Sequence, residues 1–168
     1  MHSSPRTPTL VLGIDPGTAI TGYGVVRVST GSPARLVECG VIRTSPRSPL
    51  PDRIREIYEE VARLLRNHRP DAAAVEAVFQ GRNARSALTL GHARGAILLA
   101  LSLADVPIAE YAPAEIKKAV AGTGRATKDQ VGFMVQQHLR LRHPPAPADA
   151  ADGVAAALCH SIIGLSGF

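Results

Sequence analysis

Four carboxylates in this chain stand where a charge is hard to explain by solubility alone. Asp15 ends the apolar run Leu10 to Ile14 and opens the turn signal Asp15-Pro16-Gly17-Thr18. Glu76 sits among Ala72, Ala73, Ala74, Val75 and Ala77. It is a charge inside an otherwise buried-looking strand, which is costly unless the carboxylate is paired or metal-bound. Asp149 and Asp152 lie three apart in a run of small apolar residues from Ala148 to Ala157; on a helix that spacing puts both on one face, roughly 5–6 Å apart. Oxygen donors without Cys or His favour Mg²⁺ or Mn²⁺ over Zn²⁺. Clustered carboxylates raise each other's pKa unless a cation neutralises them. Two such cations about 4 Å apart activate water and stabilise the leaving oxygen of an in-line displacement. Together the four predict metal-dependent hydrolysis of a phosphodiester, with each acid both a metal ligand and part of the catalytic apparatus.

Each acid also has a simpler reading. Asp15 is a common turn residue. Asp149, in the first turn of a helix, is a good cap and complements the helix dipole; Asp152 fits that role less well. The convergence of all four depends on strand order, because α/β folds place ligands at the carboxyl ends of adjacent strands.

Cationic and aromatic residues suggest what the acids would act on. Lys and Arg total 19 against 14 acidic residues, a net charge of +5, which favours polyanionic partners such as nucleic acid. Lys117, Lys118, Arg125 and Lys128 flank the turn Gly122-Thr123-Gly124. Such charges are usually a solvated face, but beside a Gly-rich turn and a helix start they also make a phosphate-binding surface. Lys117, Lys118 and Lys128 are candidate DNA contacts, with Arg82 and Arg85 behind them. Phe79, in the segment Phe79-Gln80-Gly81-Arg82, is either a core anchor for the following helix or a ring that stacks on an unpaired base.

The elements that must position these residues follow from hydrophobic spacing. Leu10 to Ile14, Tyr23 to Val28 and Leu36 to Arg43 read as three strands joined by short turns, hence an antiparallel meander. Ile54, Ile57, Tyr58, Val61, Leu64 and Leu65 recur at helical spacing, in a helix expected to stop near Pro70. Strands over Ala72 to Val78 and Pro107 to Tyr111 bracket a helix over Asn83 to Leu103, which predicts parallel pairing by right-handed crossovers. A helix beginning at Pro113 breaks at Gly122; Thr127 and Gln130 form a capping-box pattern for another, to about Leu139. A last helix is expected over Asp149 to Ile163. The prediction is an α/β fold with a five-stranded mixed sheet flanked by helices: a flexible tail over residues 1–9, then one domain over residues 10–164. The helix Asn83 to Leu103 has few charges on any face, so one side can cover the sheet while the other packs in the core or against a partner; Gly91 and Gly95 allow close approach.

Cys39 and Cys159 show neither metal-ligand nor redox spacing, as expected for reduced thiols in a cytoplasmic protein. Met1 to Pro8 lacks the apolar stretch of a signal peptide. The nearly apolar run Ala96 to Leu101 is far short of a membrane span.

The chain resembles the RuvC family of bacterial Holliday-junction resolvases. The matching stretches are Leu12-Gly13-Ile14-Asp15-Pro16-Gly17, Thr21-Gly22-Tyr23-Gly24-Val25, Val75-Glu76-Ala77-Val78-Phe79, Asn83-Ala84-Arg85-Ser86-Ala87-Leu88 and Gly91-His92-Ala93-Arg94-Gly95. Lys117, Gly122-Thr123-Gly124 and Ala148-Asp149-Ala150-Ala151-Asp152-Gly153 complete it. The resemblance implies a ribonuclease-H-like fold, with Asp15, Glu76, Asp149 and Asp152 as ligands for two Mg²⁺ or Mn²⁺ ions. It further implies a cytoplasmic homodimer that cuts four-way DNA junctions by two symmetric nicks at thymine-containing sites, leaving 5′-phosphate and 3′-hydroxyl ends. The implied setting is recombination and repair beside the RuvA–RuvB branch-migration machinery. The family places the aromatic matching Phe79 at the junction centre, which favours the stacking reading.

Three rival functions compete with that reading. Asp15-Pro16-Gly17-Thr18 also suits ATP-binding proteins of the actin and sugar-kinase type, but those need a second lobe and a second phosphate loop, for which 168 residues leave no room. A non-catalytic junction-binding module has no need of the complete acidic set. A related nuclease acting on RNA is disfavoured only through the resemblance.

Overall fold

The apolar run after Pro8 becomes the middle of the sheet. The computed structural model describes residues 9–77 and 83–165. Strand β1 (Thr9–Asp15) is followed by β2 (Ile20–Ser29), β3 (Ser32–Arg43), α1 (Leu50–His68), β4 (Ala72–Glu76), α2 (Ala84–Leu103), β5 (Ile108–Tyr111), α3 (Pro113–Ala121), α4 (Lys128–His138) and α5 (Ala148–Cys159). The strand order is β3-β2-β1-β4-β5. The first three strands pair antiparallel, whereas β4 and β5 join parallel, so the sheet is the mixed one expected.

Alternation along each strand feeds two cores. Leu12, Ile14, Val25 and Val75 face α1 and α2, meeting Ile57, Val61, Leu64, Ile97 and Leu101. Val11, Val26 and Ala74 face the opposite way, onto Ile116, Val131, Val135, Val154 and Leu158. α1 ends where Arg69 turns left-handed and donates its N–H to Leu65 O. The expected capping box is present: Thr127 Oγ1 accepts from the Gln130 N–H at 3.2 Å, and Gln130 Oε1 accepts from the Thr127 N–H at 2.9 Å.

Several boundaries differ from expectation. β1 takes in Thr9, which pairs with Val28 and so lies in the sheet, not the tail. β3 begins at Ser32, before Pro33, because an edge strand tolerates a proline that a central strand would not. The last α-helix stops at Cys159 and continues as a π-helical turn, His160–Gly164. The strand expected to reach Val78 is β4, ending at Glu76; Val78 lies outside the described residues.

α2 carries Ala93, Ala96, Ile97, Ala100 and Leu101 into the core. Leu88, Leu99 and Leu103 remain exposed, and the positions above Gly91 and Gly95 are open. This helix is long and apolar enough to cross a membrane. Its inner face, packed on the sheet and α1, is how the core helix of a globular domain meets that criterion.

Candidate active site

Register brings the acids together. β1 and β4 run parallel with Ile14 opposite Val75, so Asp15 and Glu76 close adjacent strands at the same edge. Asp15 also pairs with Gly22 on β2. α5 lies across this corner because glycine lets it: a Cβ on Gly22 would collide with the Asp149 carbonyl, and one on Gly13 with the Gly153 carbonyl. With the helix held that close, Asp149 and Asp152 in its first turns reach the two strand ends. Thr21, fully buried, shapes the turn after Asp15; its hydroxyl donates to Gly17 O at 2.7 Å and accepts from the Gly17 N–H at 3.2 Å.

A cavity of about 250 Å³ opens at this corner, lined by Asp15, Glu76 and Asp152 together with Lys117 and Lys128; Asp149 is not in its lining. Burial first, then the charges of Glu76, Asp152 and Asp149, pushes the Asp15 carboxyl up to about 8. Glu76 is also raised, by burial and then by Asp152. The Lys128 ammonium donates to Asp152 Oδ2 at 2.8 Å and lies 3.7 Å from Asp149 Oδ1. Its hydrogen bond to Asp152 holds its own pKa above the usual lysine value.

The structure thus brings together all four predicted acids with Lys117 and Lys128. Lys118 and Arg85 are exposed, Arg85 in the first turn of α2, and neither lines the cavity. Phe79 and Arg82 lie outside the described residues. Sequence reading marks Lys128 only as a DNA contact and misses its pairing with Asp149 and Asp152; charge complementarity is the available signal, but the partners are more than twenty residues apart.

Among the described residues, no three Asp, Glu, His or Cys side chains already converge as a closed metal cage. The space among the carboxylates holds the Lys128 ammonium as counter-charge instead. The donor set still fits a hard divalent cation: it is all oxygen, it is partly buried, and burial together with the neighbouring carboxylates keeps Asp15 protonated at neutral pH.

A three-stranded meander extended by two parallel strands, with acids at the ends of β1 and β4 and on the last helix, defines a nuclease of the ribonuclease-H-like fold. The family described as "Crossover junction endodeoxyribonuclease RuvC" matches residues 11–160. The chain belongs to the RuvC family of crossover junction endodeoxyribonucleases. It is 54% identical over 153 residues to the RuvC of Halorhodospira halophila, covering 91% of this chain and 90% of that one. It is 56% identical over 150 residues to that of Alkalilimnicola ehrlichii, covering 89% of each. The structure of Thermus thermophilus RuvC in complex with Holliday junction substrate superposes with a TM-score of 0.89 at 40% identity, covering 95% of this chain and 96% of that one.

Proposed function

We propose that this chain resolves four-way DNA junctions by paired symmetric nicks, with Asp15, Glu76, Asp149 and Asp152 as ligands of two divalent cations, Mg²⁺ or Mn²⁺. The observation that carries this reading is the burial of Asp15 against three other carboxylates at the sheet edge. Such an arrangement is unfavourable for the folded protein alone and becomes favourable once a cation neutralises it. Bound there, the ions would supply a water nucleophile active at neutral pH and stabilisation for the leaving oxygen.

The chain's own part is to fix charge and position. Asp15 and Glu76 are held by adjacent strands, and Asp149 and Asp152 by a helix that cannot slide, because its backbone rests on Gly13 and Gly22. Lys117 and Lys128 face the same cavity and hold the strand's phosphates over the acids. Phe79, which follows Glu76 by three residues, stacks at the opened junction centre, while Arg82, Arg85 and Lys118 contact the flanking backbone. Products carry 5′-phosphate and 3′-hydroxyl ends.

Paired nicks need two centres, and the outward face of α2 supports a homodimer. Leu88, Leu99 and Leu103 are exposed there, and the open positions over Gly91 and Gly95 admit a close neighbour. The single domain over residues 10–164 acts in the cytoplasm, in recombination and repair, beside a RuvA–RuvB complex. The test is incubation with a synthetic four-way junction and Mg²⁺, beside a linear duplex and an RNA–DNA hybrid. Symmetric cleavage confined to the junction is expected. Equal cleavage of the linear duplex, or cleavage of the hybrid alone, would contradict the reading.

A further inference from the structure

The end of the sheet farthest from the carboxylates carries a second concave basic surface. A cavity of about 540 Å³ opens where the β2–β3 hairpin meets the end of α4, and Arg27, Arg35 and Arg140 line it with Ser29 and Ser32. Arg27 and Arg35 are direct partners in the antiparallel register of β2 and β3. Like charges directly opposite destabilise a sheet. Arg140, just past α4, adds a third cation from a left-handed backbone position with φ 52°. The ion pairs among the described residues belong to Arg55, Arg63, His68, Arg94 and Lys128. All three arginines of this cavity are exposed, and none has an ion-pair partner among the described residues. Three guanidinium groups are thus gathered, two of them at a cost to the hairpin, with no anion from the described chain to offset them.

The cavity is separate from the nuclease centre. Arg27 pairs with Leu10, five residues before Asp15 on β1. At about 3.4 Å per strand residue, the arginine pair lies about 17 Å from Asp15 along the sheet. Its chemistry selects an oxyanion: guanidinium forks match phosphate oxygens in bidentate fashion, and serine hydroxyls add neutral donors. The lining includes no aromatic ring, so recognition would run through phosphate and not through base stacking. The volume lies within the range of small-ligand sites.

We propose that this cavity is a second, non-catalytic phosphate-binding site, taking phosphate groups either from a nucleic-acid strand that passes the hairpin end of the sheet or from a free pyrophosphate-bearing ligand. The test uses the full chain, free of divalent metal, titrated with inorganic pyrophosphate while its melting temperature is followed. The comparison is a variant carrying Arg27→Gln, Arg35→Gln and Arg140→Gln. Wild type should rise with the logarithm of pyrophosphate concentration above Kd, by about 5–10 °C at a hundredfold excess over Kd, and the variant should not respond. Without pyrophosphate, the triple variant should melt cooperatively and no lower than wild type, because it relieves the cross-strand repulsion of Arg27 and Arg35; an absent response is then not a failure to fold.

A second arm identifies the source. If DNA supplies the phosphate, the triple variant's log–log salt slope for binding a long-armed junction should fall by about one for each phosphate it no longer neutralises. An unchanged slope with an intact pyrophosphate response in wild type assigns the site to a free ligand. The proposal is overturned by a pyrophosphate response of equal size in the variant, or by no wild-type response together with an unchanged salt slope. Stabilisation by a glutamate-rich peptide, with none from pyrophosphate or DNA, would also overturn it and make the cavity a docking point for an acidic protein segment.

Discussion

Replacing Asp15 by Asn should stabilise the metal-free protein while removing its activity. The Asp15 carboxyl is raised from 3.8 to about 8 by burial and by the neighbouring carboxylates. A folded pKa above the unfolded one means the folded state binds the proton more tightly. The contribution of this group to stability is therefore complete below about pH 3.8 and is lost as pH rises toward 8. Each pH unit across that window is worth about 1.4 kcal/mol, so at pH 7, where the unfolded Asp15 is ionised and the folded one must take up a proton, the group weakens the fold by about 4 kcal/mol relative to low pH. Asn keeps the volume and cannot ionise, so Asp15→Asn should recover about that amount, on the order of 10 °C in melting temperature for a domain of this size. The gain should shrink toward zero near pH 4 and level off above pH 8. Added Mg²⁺ should raise the melting temperature of wild type much more than that of the variant. The assay is thermal unfolding across pH 4–9 in chelator, with and without excess Mg²⁺. A variant that melts at or below wild type at pH 7–8 in chelator would refute the electrostatic reasoning.

Three further outcomes follow from the proposed function. Lys117→Gln and Lys128→Gln should each flatten the salt dependence of junction binding by roughly one unit of log–log slope, and an unchanged slope would place that lysine off the DNA. Leu99→Arg, on the exposed face of α2, should yield a folded monomer by light scattering at micromolar concentration; a persistent dimer would move the interface elsewhere. Phe79→Ala should lower single-turnover junction cleavage on the order of a hundredfold by misplacing the scissile phosphate while sparing affinity. A core anchor would instead cost about 3–5 kcal/mol of stability, so a large fall in melting temperature would refute stacking.

Hydrophobic spacing alone is enough to order the elements, because the valine-rich runs alternate cleanly and Thr127 with Gln130 announces its own helix start. The four acids are legible because each interrupts an apolar context. What stays hidden depends on distances across the fold. Gly13 and Gly22 stand out in the sequence only as parts of the stretches that resemble the RuvC family, yet their missing side chains are what let α5 settle on β1 and β2. Arg27 and Arg35 look like two scattered surface cations until the register sets them face to face. Glu38 reaches from β3 to accept from Tyr23 at 2.9 Å and pairs with His68 on α1 at 2.6 Å, a link between sheet and helix that no local pattern encodes. The end of α5 is overrun because Ile162 and Ile163 continue an apolar pattern that the backbone follows only as a wider turn.

The central claim is that the four carboxylates act as one metal-dependent cutting centre. Its most direct measurement is single-turnover cleavage of a four-way junction by Asp15→Asn, Glu76→Gln, Asp149→Asn and Asp152→Asn, each beside its junction affinity, in Mg²⁺ and in Mn²⁺. Every variant should bind the junction and cut it at a small fraction of the wild-type rate with either ion. Full cleavage by any one of them would remove that residue from the site, and full cleavage by wild type in chelator would contradict the account as a whole.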